Sequence, residues 1–183
     1  MKRIVVPILM ALCMMTPLSG REGLSVSLDL VSAESFFYDT AHLRIDVGLD
    51  LTEEFGLRMP FTVIAERVRG GPYYLEGGIF LDYHPLGWPL FISLSLAQVG
   101  VLGNHPWEDD PSVLFLNEMA IGWRFAIPPG FVLIPMVVIR DPNRVFGGEY
   151  AEFEDIFAHF AMVRCSLLFG WTFPVGQPRA GQQ

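Results

Sequence analysis

The chain has 183 residues, about half of them hydrophobic, with 17% charged residues and a mean hydropathy of +0.39. That length suits one domain, and the composition excludes a disordered chain. The net charge of −8 argues against nucleic acid as a partner, and Lys2 is the only lysine where a water-facing surface of this size would carry many.

Lys2 and Arg3 precede an uncharged run from Ile4 to Gly20. A basic start followed by a short apolar run predicts a secretory signal over residues 1–20. The run is short for a membrane-spanning helix and contains Pro7 and Pro17. Gly20 suits the position before a cleavage site. Removal of the segment would leave Cys165 as the sole cysteine, so no internal disulfide is expected. Residues 21–173 then form one predicted domain, and 174–183 a tail.

From Leu24 onward, apolar residues recur with period two, which places them on one face of successive strands. Leu24 to Leu30 alternates with Ser25, Ser27 and Asp29. Leu43, Ile45, Val47, Leu49 and Leu51 alternate with His42, Arg44, Asp46, Gly48 and Asp50. Phe55 to Val63 alternates with Gly56, Arg58, Thr62 and, further on, Glu66. Leu75, Ile79, Leu81 and Tyr83 oppose Tyr74, Glu76, Gly78 and Asp82. Leu90 to Leu96 opposes Phe91, Ser93, Ser95 and Ala97. Phe115 to Phe125 opposes Glu118, Ala120, Gly122 and Arg124. Phe131 to Arg140 is apolar on both faces. Val163 to Phe173 opposes Arg164, Ser166, Gly170 and Thr172. Pro60 and Pro135 fall inside these strands, where each removes a ladder donor.

About eight strands of roughly 9–12 residues match the length that crosses a bilayer at a tilt. The connections alternate. Thr52-Glu53-Glu54, His84 to Pro89 and Pro128-Pro129-Gly130 are tight. The others are longer and include Glu108-Asp109-Asp110 and an acidic stretch from Asp141 to Asp155. A soluble barrel would show the same alternation turned inside out. The small residues on the polar face suit a narrow lumen, and the bulky apolar face would be a very large exposed patch in water. A helical membrane protein is disfavoured by the prolines and glycines that interrupt the uncharged stretches. Tyr83, Trp88, Trp123, Phe125, Phe131, Phe169, Trp171 and Phe173 are expected to ring the short-turn rim at headgroup level. Phe36, Phe37, Tyr38, Tyr73, Tyr74 and Trp107 are expected near the other rim.

With these features the chain resembles the small eight-stranded outer-membrane β-barrel proteins of diderm bacteria, the OmpX/OmpW-like group. The resemblance spans residues 24–173. It rests on the signal segment, the strand count, the Tyr83-to-Leu96 stretch with its turn, and the last strand ending Phe169-Gly170-Trp171-Thr172-Phe173. It implies an all-β, eight-stranded antiparallel up-and-down transmembrane barrel with short periplasmic turns and longer external loops. It also implies an outer-membrane location, contact with outer-membrane lipid, and recognition of the last strand by the barrel-assembly machinery. Members of the family usually end at the final Phe, whereas here Pro174 to Gln183 follow.

The predicted inward charges are Arg44, Asp46, Asp50, Arg58, Glu66, Glu76, Asp82, Glu118, Arg124 and Arg164. Buried charges require pairing, and the Arg fork suits carboxylates. The expectation is an Arg–carboxylate plug in the lumen, with a polar conduit or small pocket as the alternative. Catalysis is not expected. His159 and Ser166, seven positions apart, would fall on opposite faces of one strand, so they make no local dyad. His84 and His105 are expected at the surface in turns. The acidic loops match no metal-site spacing, and no metal or cofactor is expected. Two roles stay open: a structural or surface-interaction barrel with an unidentified external ligand or host partner, and a narrow OmpW-like channel for small molecules.

Overall fold

The protein is described from a computed structural model, which covers residues 23–32, 40–66, 71–104, 112–145 and 161–174. The strands are β1 (Gly23–Asp29), β2 (Thr40–Asp50), β3 (Phe55–Glu66), β4 (Tyr73–Tyr83) and β5 (Leu90–Gly103). They continue with β6 (Ser112–Phe115), β7 (Glu118–Trp123), β8 (Phe125–Ile127), β9 (Phe131–Arg140) and β10 (Val163–Pro174). β6, β7 and β8 follow one another along one stave, so ten segments make eight staves. Each neighbour pairs antiparallel, and β10 pairs back onto β1 from Gly23↔Pro174 to Asp29↔Leu168. The sheet is therefore closed, and the fold is the expected eight-stranded all-antiparallel barrel.

Which face points inward follows from the period-two pattern. On β2, Leu43 and Ile45 are 46% and 36% exposed, whereas Arg44 and Asp46 are 1% and 2% exposed. The same holds on β1, where Ser25, Ser27 and Asp29 are buried and Leu24, Val26 and Leu28 are exposed. Charge is inside and hydrocarbon is outside, the reverse of a water-soluble barrel.

The pattern shifts once. A β-bulge between Ile79 and Phe80 on β4 faces an extra residue on β5, because Ile79 pairs Ala97 while Phe80 pairs Ser95. Leu96 and Ala97 are consequently both exposed, and Gln98, Gly100 and Leu102 turn inward. The expected inward position of Ala97 is thereby corrected: one unpaired residue flips the phase of everything after it.

Both strand prolines lie at gaps in the ladders. The β3–β4 register runs to Arg58↔Phe80 and resumes at Phe61↔Gly77, so Pro60 sits where pairing lapses. The β7–β9 register ends at Gly122↔Met136, and β8 resumes it at Phe125↔Leu133, so Pro135 sits opposite the break between β7 and β8. In each case the missing N–H faces a place where no ladder bond is made.

Inside, the lumen is divided lengthwise. Phe91, Ala120, Val132, Ile134, Met136, Val138 and Leu168 form a buried apolar cluster on the β5, β7, β9 and β10 walls. Ile64, Tyr74, Leu102 and Leu116 form a second cluster nearer the long-loop end. Burying each large side chain contributes about 1.5–3 kcal/mol. Gly122 leaves the room that the Phe91 ring fills, since a Cβ there would lie 2.6 Å from it.

The seam between β1 and β10 is equally tight. A Cβ on Gly170 would collide with Ser27 and with the Val26 carbonyl. Gly170→Ala is therefore expected to lower the unfolding free energy by about 1–3 kcal/mol, the range for overpacking a filled site. Urea titration of the folded protein in detergent, followed by tryptophan fluorescence, measures it. An unaltered midpoint would show that the seam is looser than described.

Candidate functional site

The polar half of the lumen is organised around Asp46. Arg44 Nε donates to Asp46 Oδ1 at 3.0 Å, and Arg58 Nη1 donates to Asp46 Oδ2 at 2.7 Å. Arg58 also reaches Asp82 through Nε at 3.2 Å and Ser93 Oγ through Nη2 at 2.6 Å, and its guanidinium lies 5.2 Å from the centre of the Phe80 ring. One guanidinium thus links β2, β3, β4 and β5, which a planar fork of five donors can do and an ammonium cannot.

Two ion pairs reach across the barrel. Arg44 on β2 approaches Glu118 on β7, with Nη1 and Oε2 3.9 Å apart, and Glu118 Oε1 accepts from Arg140 Nε at 2.7 Å. β2 and β7 belong to staves on opposite sides of the closed sheet. Closer to the short turns, Arg124 Nη1 donates to both oxygens of Asp50, at 2.7 and 3.1 Å, and Nη2 donates to Thr172 at 3.3 Å. Arg124 lies between β7 and β8, and Asp50 ends β2.

The remaining expected charges are placed as follows. Glu76 accepts from Tyr74 OH at 2.8 Å and from Gln98 Nε2 at 2.9 Å. Arg164 Nη1 lies 3.7 Å from Asp29 Oδ2, and that carboxylate also accepts from Ser166 Oγ at 2.7 Å and from the Leu167 N–H at 3.2 Å. Glu66 is half-buried at the end of β3, where its N–H donates to the Pro72 carbonyl. Arg140 and Gln98 also belong to the network and were not expected inside; Asp29, Tyr74 and Ser93 belong to it too, placed on the polar faces by their phase but not counted among the inward charges. Asp29 shared the phase of Ser25 and Ser27, so its place was legible. Arg140 was masked by the apolar run before it, because Val132, Ile134, Met136 and Val138 occupy the inward phase as hydrocarbon.

Two sequence expectations are corrected here. His84 is buried, not on the surface: its Nδ1–H donates to the Trp88 carbonyl at 3.1 Å and its ring packs 5.5 Å from Phe91. It continues the inward phase of Phe80 and Asp82 one residue past β4 and borders a small cavity with Arg58 and Asp82. Tyr74 points into the lumen rather than joining a rim, because its hydroxyl finds Glu76 there. His105, His159, Phe36, Phe37, Tyr38, Trp107 and the acidic loop residues from Glu108 to Asp110 and Glu149 to Asp155 lie outside the described residues.

The aromatic residues at the short-turn rim face outward. Trp123 lies 6.3 Å from Phe125, and Tyr83 lies 5.3 Å from Phe55. Phe131 lies 5.4 Å from Phe169 and meets Trp171 edge-on at 4.5 Å. Trp88 and Phe173 are exposed. The cavity lined by Asp50, Arg58, Asp82, His84 and Arg124 holds about 30 Å³, roughly the space of one water molecule. Among the described residues no group of His, Cys, Asp and Glu side chains is arranged to hold a metal ion.

A closed antiparallel barrel, apolar outside and with paired charges within, is the architecture of a barrel made for a hydrocarbon surround. No protein-family model and no curated protein matches the sequence. Among solved structures the chain is similar to the Yersinia pestis outer membrane protein Ail, determined in a phospholipid bilayer nanodisc. The identity is 12% and the TM-score 0.47, covering 83% of this chain and 99% of that one.

The network makes Asp46 the residue whose loss leaves most behind. Asp46→Ala would take from buried Arg44 its hydrogen-bonded carboxylate, leaving Glu118 at 3.9 Å, and from buried Arg58 the closer of its two carboxylates, and is expected to cost about 3–5 kcal/mol. The same substitution at half-buried Glu66 is expected to cost much less. Paired urea titrations in detergent give the difference; equal losses would show that Asp46 is not the centre of the network.

Proposed function

We propose that the chain is a bacterial outer-membrane β-barrel with a structural or surface-interaction role, exported by the signal over residues 1–20 and closed to solute flow. The observation that carries this is the filled lumen. The Arg44–Glu118 and Arg124–Asp50 pairs bridge it from opposite walls, and the Phe91–Leu168 cluster occupies the other half. Eight staves leave an interior just wide enough for side chains, and here side chains take it up.

Several features support the membrane assignment. The strands of 10–14 residues from β2 to β5, β9 and β10 are long enough to cross hydrocarbon at a tilt. The outward aromatics at one rim suit a headgroup interface. The alternating Phe169, Trp171 and Phe173 of the last strand suit recognition by the barrel-assembly machinery. The network is a structural filling rather than a catalytic site: Ser166 donates to Asp29, and the arginines are committed to carboxylates. The action on the outside, whether on a ligand or a host partner, then belongs to the long-loop end.

Fractionation and electrophysiology test this together. The protein is expected in the outer-membrane fraction, to migrate faster on SDS gels unboiled than boiled, and to give no stepwise currents in planar bilayers. Discrete conductance steps would favour the narrow-channel alternative, and recovery in a soluble fraction would overturn the membrane assignment.

A further inference from the structure

Near the short turns, one row of the lumen wall sets a glycine between two carboxylates. Gly56 on β3 pairs Asp50 on β2 to one side and Asp82 on β4 to the other. All three line the cavity of about 30 Å³ at that end of the barrel. The missing side chain makes room there: a Cβ on Gly56 would stand 3.6 Å from Asp50 Oδ1 and 3.9 Å from the Asp82 Cβ. Both carboxylates are also short of donors. Among the described residues Asp50 accepts from one guanidinium nitrogen, Arg124 Nη1, and Asp82 from one, Arg58 Nε, at 3.2 and 3.4 Å. Asp46, by contrast, is met by two arginines, at 3.0 and 2.7 Å. A carboxylate has about four acceptor positions, so Asp50 and Asp82 keep capacity for more.

We propose that one ordered water molecule sits over Gly56 and donates one O–H to Asp50 and the other to Asp82. The volume suits it, since a water site needs roughly 10–15 Å³ of reachable space and about two to four polar partners. The lining selects the occupant. Two carboxylates repel an anion, and each already faces a guanidinium, so no unbalanced charge is left to hold a cation. Ser25 borders the same cavity, and its Oγ reaches the Gly48 carbonyl only at 3.5 Å, which leaves that hydroxyl able to donate to the water oxygen. The consequence is continuity. Among the described residues the Arg124, Asp50 and Thr172 group shares no direct hydrogen bond with the chain from Asp82 through Arg58 and Asp46 to Arg44. The water joins them, so that one polar network runs from the short-turn mouth to Arg140 at the far end of β9. This inference goes beyond the function proposed above and needs only the closed barrel.

The test is nuclear magnetic resonance on the isotopically labelled full chain, folded in detergent micelles. Rotating-frame cross-peaks from water to the β-protons of both Asp50 and Asp82 are expected, with the sign of dipolar contact rather than exchange. Gly56→Ala places a methyl group in the notch at ordinary contact distances and is expected to lose both cross-peaks. Gly77→Ala, whose Cβ would meet only the Phe61 ring at 3.6 Å, is expected to keep them. Cross-peaks that survive Gly56→Ala, or that are missing from the wild type, would overturn the proposal. Should Gly56→Ala fail to fold, the wild type decides alone, and contact with only one of the two aspartates would refute the bridge. Carboxyl carbon shifts of Asp50 and Asp82 that move together when sodium chloride replaces choline chloride would name a cation as the occupant and also overturn it. Heat-modifiable migration of each sample shows that the barrel is folded. A folded barrel without the cross-peaks refutes the water and leaves the function proposed above untouched.

Discussion

Hydrocarbon cannot hydrogen-bond, and this constraint organises the whole molecule. Every backbone donor and acceptor in the wall must be satisfied by a neighbouring strand, which a sheet achieves around its whole circumference only by joining its first and last strands. The Gly23–Asp29 and Val163–Pro174 ladder does so here. Once the wall is closed, side chains have only two environments, and the charged ones are sent to the lumen. There they meet the same constraint again, because an unpaired guanidinium inside is as costly as one outside. The chain from Asp82 through Arg58, Asp46 and Arg44 to Glu118 and Arg140 is the result.

Arginine supplies nearly all of the chain's positive charge, and the structure shows why. Arg58 touches four staves at once, and Arg124 grips both oxygens of Asp50 while also reaching Thr172. A lysine at either place would offer one point of charge and leave acceptors on the other staves without donors. The opposite half of the lumen meets the constraint by having few polar side chains to satisfy. The division into an ionic half and a hydrocarbon half lets a narrow barrel fill its interior without requiring every inward residue to find a charged partner.

Much of this was legible in the residues. Period-two alternation in Leu43–Leu51, with Arg44 and Asp46 between apolar residues, was enough to assign strand, face and barrel class, because side-chain direction in a strand depends only on parity. Parity fails wherever a residue is unpaired, and nothing around Ser95-Leu96-Ala97 announces the bulge that turns Ala97 outward. The same limit hid Arg140, since a strand apolar on both faces has no visible phase. Partner choice was illegible for a different reason. That Arg44 reaches Glu118 across the lumen as well as nearby Asp46 depends on which staves lie opposite, and this is a property of closure rather than of local sequence. His84 was misjudged because it was assigned to the turn, whereas it keeps the inward parity of Phe80 and Asp82 just past the end of β4.

The cross-lumen pairs bear on how the barrel can assemble. Ladders can be added one hairpin at a time, each satisfying its own backbone, yet Arg44 and Glu118 are 74 positions apart, as are Asp50 and Arg124. Their attraction cannot act until the sixth stave has curled round to face the second. An open, half-built sheet therefore holds its ions unmatched, while the finished cylinder matches them together. Closure is thus the cooperative step, and the ionic contacts reward only the completed ring, which disfavours slipped registers and open sheets along the way.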